Sequence, residues 1–275
     1  MSLMLKLLMS MIVITATLDA SMSEAKLTKY VKKFIVKNPA VRVSSVEIVD
    51  IQKVDGEEGW EVYLTNMKLI HNGKDLSVPQ TIFVNGDLIT PALMNLKRNK
   101  NYSNEYKPSI PDSYYSDDHL LFGNKDAKHK IVIFSDPQCP YCMEIVPEIM
   151  DAARKYPDTF ALYYYHLPLL SIHPVSGILV RVMHVAQDWK KSDVVEKLYS
   201  LKINPNETNI DKVLAAVKTQ TGFSVTKAEI ERKAVKQAIE SDEDAAAKVM
   251  VTGTPTIYFD SQWDKMRNRY KSFMP

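Results

Sequence analysis

Cysteine is nearly absent. The 275 residues contain only two, Cys139 and Cys142. A core built from this chain must cohere without structural crosslinks, and any thiol chemistry is confined to one short interval. Metal-ligand patterns are missing as well. There is no second C-x-x-C, and the six histidines (71, 119, 129, 166, 173, 184) include no H-x3-5-H pair. Structural zinc takes about four N or S ligands, so the sequence supplies half a site. Net charge is almost nil, +2 from 35 basic and 33 acidic residues. That balance gives no electrostatic reason to bind nucleic acid or anionic lipid, and the basic cluster at 97–100 reads as a solvated face. No apolar run at the N-terminus is long enough to span a bilayer: the stretch 7–18 after Lys6 is too short, and instead has the form of a secretory signal. No cysteine lies near it, which excludes lipid attachment at a lipobox. Ala20 and Ala25 are candidate cleavage points. Because Ser21-Met22-Ser23-Glu24 reads as a capping box for the following helix, cleavage is expected near Ala20, leaving residues 1–20 as the signal.

What the chain does have is concentrated in residues 130–147, KIVIFSDPQCPYCMEIVP. A short apolar strand (131–134) runs into a turn at Ser135-Asp136-Pro137, and a helix begins at or near Cys139. Backbone N–H groups in the first turn of a helix have no intrahelical partner, and their partial positive charge favours an anion. The Cys139 thiol should therefore ionise more readily than a free cysteine. Pro140 suits that first turn, where its fixed φ is helical and its missing N–H is not needed. Cys142, three residues on, is close enough to bond back to Cys139, so the pair can cycle between dithiol and disulfide. Redox chemistry is the favoured reading of this C-P-Y-C pair. A zinc half-site and two unrelated core cysteines are the alternatives.

Two further features bear on it. Pro147 falls five residues after Cys142, within the predicted helix, where a proline would kink it. Far downstream, VTGTPTIYF (251–259) reads as a turn entering a strand. With these motifs the sequence resembles the thioredoxin superfamily, and FSDPQCPYC with GTPT before the last strand looks most like the DsbC/DsbG group of bacterial thiol–disulfide isomerases. The resemblance implies a cis Thr254–Pro255 bond facing the cysteines, with Pro140, Tyr141, Thr254 and Pro255 supporting catalysis by Cys139 and Cys142. On its own, Thr-Pro would be an ordinary turn. One departure stands out. Thioredoxins usually carry a buried Asp six residues before the first cysteine, and this chain has Ile133 there.

The remainder of the chain divides around that centre. A helix over 25–37 ends at Asn38-Pro39. Runs rich in β-branched and aromatic residues follow, punctuated by Asp55-Gly56, Asn72-Gly73 and Asn85-Gly86, the dipeptides tight hairpins need. They predict a four-stranded antiparallel meander ending near Ile89, with Pro79 on an edge or bulge. The fold class is thus an α+β N-terminal domain (21–96) followed by an α/β thioredoxin-like domain (119–275). By resemblance the first is a dimerisation module, although an independent monomeric domain fits the same pattern. Residues 97–118, rich in polar residues and tyrosine, read as a linker with few core contacts, non-helical at least from Pro108 and Pro111 onward. In the second domain a short strand is predicted near 119–123 and a buried parallel strand over 160–167. A helical insertion of about 174–249 follows, with a capping box at Thr226-Lys227-Ala228-Glu229 leading into a charged helix. His166, alone on its strand, reads as a satisfied core residue. WDKMRNRYKSFM (263–274) is predicted to form a terminal helix.

The resemblance implies a periplasmic enzyme that isomerises or reduces non-native disulfides in exported proteins. It would work as a homodimer and be kept reduced by a membrane thiol reductase. The chemistry requires no metal, nucleotide or other cofactor. A DsbA-like oxidase shares the fold and the insertion, but is normally a single domain. A chaperone-like dimer that binds unfolded chains is the alternative from outside enzymology.

Overall fold

The computed structural model describes residues 22–275. The predicted signal at 1–20 lies outside them. Helix α1 (Glu24–Tyr30) starts at Ser23, whose side chain accepts from Lys26 N–H at 3.4 Å. The cap is thus Ser23, while Ser21, the cap expected from the sequence, lies outside the described residues; Glu24 accepts from Ile48 N–H at 2.8 Å. The helix ends in a wider turn, Val31–Ile35, with Val36 N–H donating to the Val31 carbonyl.

Strands β1 (Val41–Lys53), β2 (Glu61–His71), β3 (Lys74–Asn85) and β4 (Leu88–Thr90) form the predicted meander in the order β1-β2-β3-β4. Asn72 and Gly73 both take positive φ, 51° and 74°, which is what a two-residue hairpin turn demands. Side-chain alternation gives this sheet two buried faces. Tyr63, Met67 and Leu69 meet Leu27 and Val31 of α1. Val62, Leu64 and Phe83 meet Tyr102 and Met250 on the other side. Pro79 sits opposite Asn66, in the part of β3 that β4 leaves uncovered, since β4 pairs only with Phe83, Val84 and Asn85. A residue without an N–H belongs on such an edge.

The stretch after β4 differs from its prediction as a loose linker. Strands β5 (Met94–Asn95) and β6 (Lys100–Asn101) pair, and single 3-10 turns follow at Tyr102–Asn104, Asp112–Tyr114 and Asp117–His119. Tyr102, Ile110 and Tyr114 are buried. Tyr114 OH donates to the Ala245 carbonyl at 2.7 Å, and Ile110 N–H to the Ser261 carbonyl at 3.0 Å. Tyrosine buries a large apolar ring while its hydroxyl keeps a partner, so a tyrosine-rich segment can pack without losing polarity. Lys107 ties the two halves together: Gln52 donates to its carbonyl at 2.8 Å, and its Nζ donates to the Met250 carbonyl at 2.9 Å.

The second sheet comprises β7 (Leu120–Phe122), β8 (His129–Ser135), β9 (Phe160–His166), β10 (Thr256–Phe259) and β11 (Gln262–Trp263), ordered β11-β10-β8-β9-β7. Only β8 and β9 are parallel, joined by α2 (Pro140–Lys155), which runs on through Pro147. Between β9 and β10 lie α3 (Ser176–Asp188), α4 (Ser192–Lys197), α5 (Ile210–Thr221), α6 (Lys227–Ile230) and α7 (Lys233–Lys248). The Thr226–Glu229 capping box is present, but it caps only the short α6. The chain extends at Arg232 before α7 begins afresh. His166 is buried and satisfied at Nδ1, 2.8 Å from Asp242. The C-terminal segment is not the predicted α-helix. Trp263 pairs with Tyr258, and the buried carboxylate of Asp264 accepts from Arg267 and Arg269 N–H, leaving only a 3-10 turn at Arg269–Phe273. An Asp that captures backbone N–H groups offers the chain a turn in place of a helix.

Candidate active site

Strand register sets the site. Ile133 and Phe134 of β8 pair with Ile257 and Thr256 of β10, so the turn leaving β8 and the turn entering β10 emerge side by side. The first carries Cys139, and the second carries Thr254-Pro255. The peptide bond between Thr254 and Pro255 is cis. Cys139 is the N-cap of α2, with extended φ/ψ of −69° and 122°, and Pro140 opens the helix. The Cys139 thiol donates to the Thr254 carbonyl at 3.4 Å. Tyr141 is exposed, and Cys142 lies one helical turn inside, fully buried. The predicted residues Cys139, Pro140, Tyr141, Cys142, Thr254 and Pro255 therefore converge, although Tyr141 faces outward.

Their electrostatics separate the two thiols. Cys139 is held down to about 5, chiefly by a hydrogen bond from the Cys142 thiol. Burial opposes this, while Thr254 and the backbone N–H groups of Cys142 and Tyr141 assist. These last are the free donors of the helix start, acting as the sequence predicts. Cys142 moves the other way. Burial raises it well above the ordinary thiol range, and its own bond to Cys139 raises it further. At neutral pH the pair is one thiolate, almost covered at Cys139, backed by one fully buried thiol at Cys142. That division of labour suits a nucleophile and a resolving group.

Asp136 is a site residue that the sequence reading placed only in a turn. Its buried carboxylate accepts from Gln138 N–H (2.7 Å), Leu169 N–H (2.7 Å) and Ser176 Oγ (2.6 Å), and His173 Nδ1 lies at 3.2 Å. One side chain thus pins the loop before Cys139 to the loop after β9. The available signal was an Asp two residues before Gln138, the spacing of an Asx turn. Around the cysteines the surface is apolar: Tyr141 and Met143 on α2, Leu170 and Ile172 beyond β9, and Met266 beside the Pro255 loop are all exposed. Among the described residues no group of three or more His, Cys, Asp or Glu is placed to hold a metal ion, and no helix is long and apolar enough to cross a membrane.

Comparison with known proteins agrees with this architecture. A family model described as Thioredoxin matches residues 115–273, more than half of the chain. No curated protein matches. Solved structures similar to the chain include a putative protein-disulfide isomerase from Pseudomonas syringae (13% identity, 58% of this chain and 99% of that one, TM-score 0.49). Others are a periplasmic thioredoxin-like protein from Salmonella enterica serovar Typhimurium (20%, 59% and 92%, 0.47) and oxidised BdbD from Bacillus subtilis (18%, 60% and 91%, 0.46).

Proposed function

The chain belongs to the thioredoxin family, and from that premise we propose that it is a periplasmic thiol–disulfide oxidoreductase that isomerises or reduces non-native disulfides in exported proteins. The observation that carries this reading is the split between an acidic Cys139 at the helix start and a buried, reluctant Cys142 beside it. Cys139 attacks a client disulfide, forming a mixed disulfide and releasing one client sulfur as thiolate. That sulfur, or another client thiol, can then attack elsewhere in the client and regenerate Cys139 with the bonds rearranged. Alternatively Cys142 attacks Cys139, and the client leaves reduced while the enzyme becomes oxidised.

The exposed apolar rim of Tyr141, Met143, Leu170, Ile172 and Met266 gives an unfolded client something to touch without fixing its sequence. The additional α1 and β1–β4 unit supports the isomerase over a single-domain oxidase, with that unit joining two copies. A membrane thiol reductase would supply the electrons. The test is the redox state of Cys139 and Cys142 in intact cells, trapped by acid and alkylated with a mass tag. A mostly reduced pair supports an isomerase or reductase. A mostly oxidised pair makes the protein a donor of disulfides.

A further inference from the structure

The chain that follows β11 turns back onto the loop that carries Pro255. Asp264 N–H donates to the Ile257 carbonyl at 2.8 Å, which anchors the turn to β10. The buried Asp264 carboxylate then accepts from Arg267 N–H at 3.0 Å and from Arg269 N–H at 2.8 Å. Held between these bonds, Arg267 takes a φ of 58°, a conformation uncommon in a residue with a Cβ. Its side chain reaches across, and Nε donates to the Pro255 carbonyl at 3.2 Å. The carbonyl one residue earlier, that of Thr254, is the one 3.4 Å from Cys139 Sγ. The guanidinium is thus tethered one residue away from the group that meets the nucleophile.

A guanidinium carries five N–H donors in a planar fork. Nε uses one. The donors on Nη1 and Nη2 have no acceptor among the described residues, and neither nitrogen is sealed from solvent. The neighbouring cations are engaged: Lys265 pairs with Glu105, and Arg269 lies over the Phe259 ring at 5.3 Å. Asp264 bonds the Arg267 backbone and leaves its guanidinium without a carboxylate partner. Next to this fork, Met266 is 74% exposed. A cationic fork with its outer edge open, beside an apolar rim and the Pro255 carbonyl, matches a carboxylate on an otherwise unspecified chain.

We propose that Arg267 is a specificity residue that receives an Asp or Glu side chain close to the client cysteine under attack, so that disulfides flanked by acidic residues react preferentially. The inference rests on the exchange reading above. The pairing adds no chemical step. The Cys139 thiolate attacks the client sulfur, and the Cys139–client bond forms as the client disulfide breaks. The departing sulfur leaves with the electron pair, so Cys139 is oxidised and that sulfur is reduced, while Arg267 is unchanged. Because the fork holds the client before and during attack, it acts on the approach of the client and not on the later attack by Cys142.

The test uses the reduced full-length protein and short peptides, each with one cysteine bonded to an aromatic thiol that is coloured on release. Glu, Gln or Lys stands within two residues of that cysteine. The second-order rate constant for colour release should be about fivefold higher for the Glu peptide than for the Gln peptide, and lowest for the Lys peptide. High salt should shrink the differences. In Arg267→Gln the three peptides should react alike, and in Arg267→Glu their order should invert. A displaced Pro255 loop would slow all three peptides together, so the ratio within one variant isolates the charge pairing. The later phase, release of the peptide thiol by Cys142, should keep its rate constant in both variants. Equal rates for the three peptides with the unmodified protein would overturn the proposal, whether or not a variant folds. So would a Glu preference that survives Arg267→Gln. Absence of colour release from every peptide by the unmodified protein would instead overturn the exchange reading, and this proposal with it.

Discussion

Cys139 Sγ lies 3.4 Å from the carbonyl oxygen of Thr254, a residue that follows it by most of the second domain. The contact follows from strand register, because Thr256 pairs with Phe134 and both turns leave the sheet on the same edge. On the proposed function, a client chain lying along the Thr254–Pro255 segment would be delivered to the nucleophile.

The acidity of Cys139 has a main source that can be removed. Thiolate absorbance of the reduced protein should titrate with a midpoint near 5. In Cys142→Ala the midpoint should rise toward the ordinary thiol range, because the largest stabilising bond is gone. Folding linkage has a matching sign. A thiol lowered in the folded state contributes stability that is complete above its unfolded value of about 9 and is lost as pH falls through about 5. Between those limits the reduced protein should gain stability with pH, and Cys142→Ala should gain less, as read from urea midpoints.

Asp136 should matter for stability as much as for the site. Replacing it with Ala strands Ser176 and two backbone N–H groups in a dry interior. The expected cost is at least about 3 kcal/mol, by the usual penalty for unpaired buried polar groups. Chemical denaturation measures it directly, and a cost under about 1 kcal/mol would contradict the network.

Asp242 fastens three segments, accepting from His166 N–H at 2.9 Å and lying 2.8 Å from His166 Nδ1 and 2.7 Å from His119 Nε2. Burial pushes its carboxyl up, but the bonds from His119 and His166 prevail and hold it at about 2. An Asp lowered this way adds stability that is complete above its unfolded value of about 4 and is lost as pH falls through about 2. Asp242→Asn should be less stable than the parent at pH 5, and the difference should narrow steadily on acidification.

Self-association has a specific candidate edge. Among the described residues no strand pairs with the outer side of residues 74–82 of β3, and Leu76 and Val78 are exposed there. If two copies join through this unit, sedimentation should find a dimer. A Leu76→Lys, Val78→Lys double variant should shift it toward monomer, because lysine on an edge strand blocks pairing. A monomer at all concentrations would remove the dimer from the account.

Local features were legible in the sequence and distant partnerships were not. The apolar run at 131–134, Pro140 after Cys139 and Asn72-Gly73 each act through neighbours in the chain, and the structure places them as read. The Tyr102 environment could not be read locally, because Met250 and Val62 complete it from far away. Asp136 was read as a turn residue since most of its partners come from 169–176. The terminal segment has helical composition, yet the pairing of Trp263 with Tyr258 and the capture of Arg267 N–H by Asp264 decide its shape.

The most direct test of the account is reactivation of a protein carrying scrambled disulfides by the purified, reduced enzyme under anaerobic conditions. The account predicts that native disulfides and activity return catalytically, and that Cys139→Ser abolishes the effect. Failure of the reduced enzyme to reactivate the substrate, with the oxidised form merely adding disulfides to reduced chains, would contradict it.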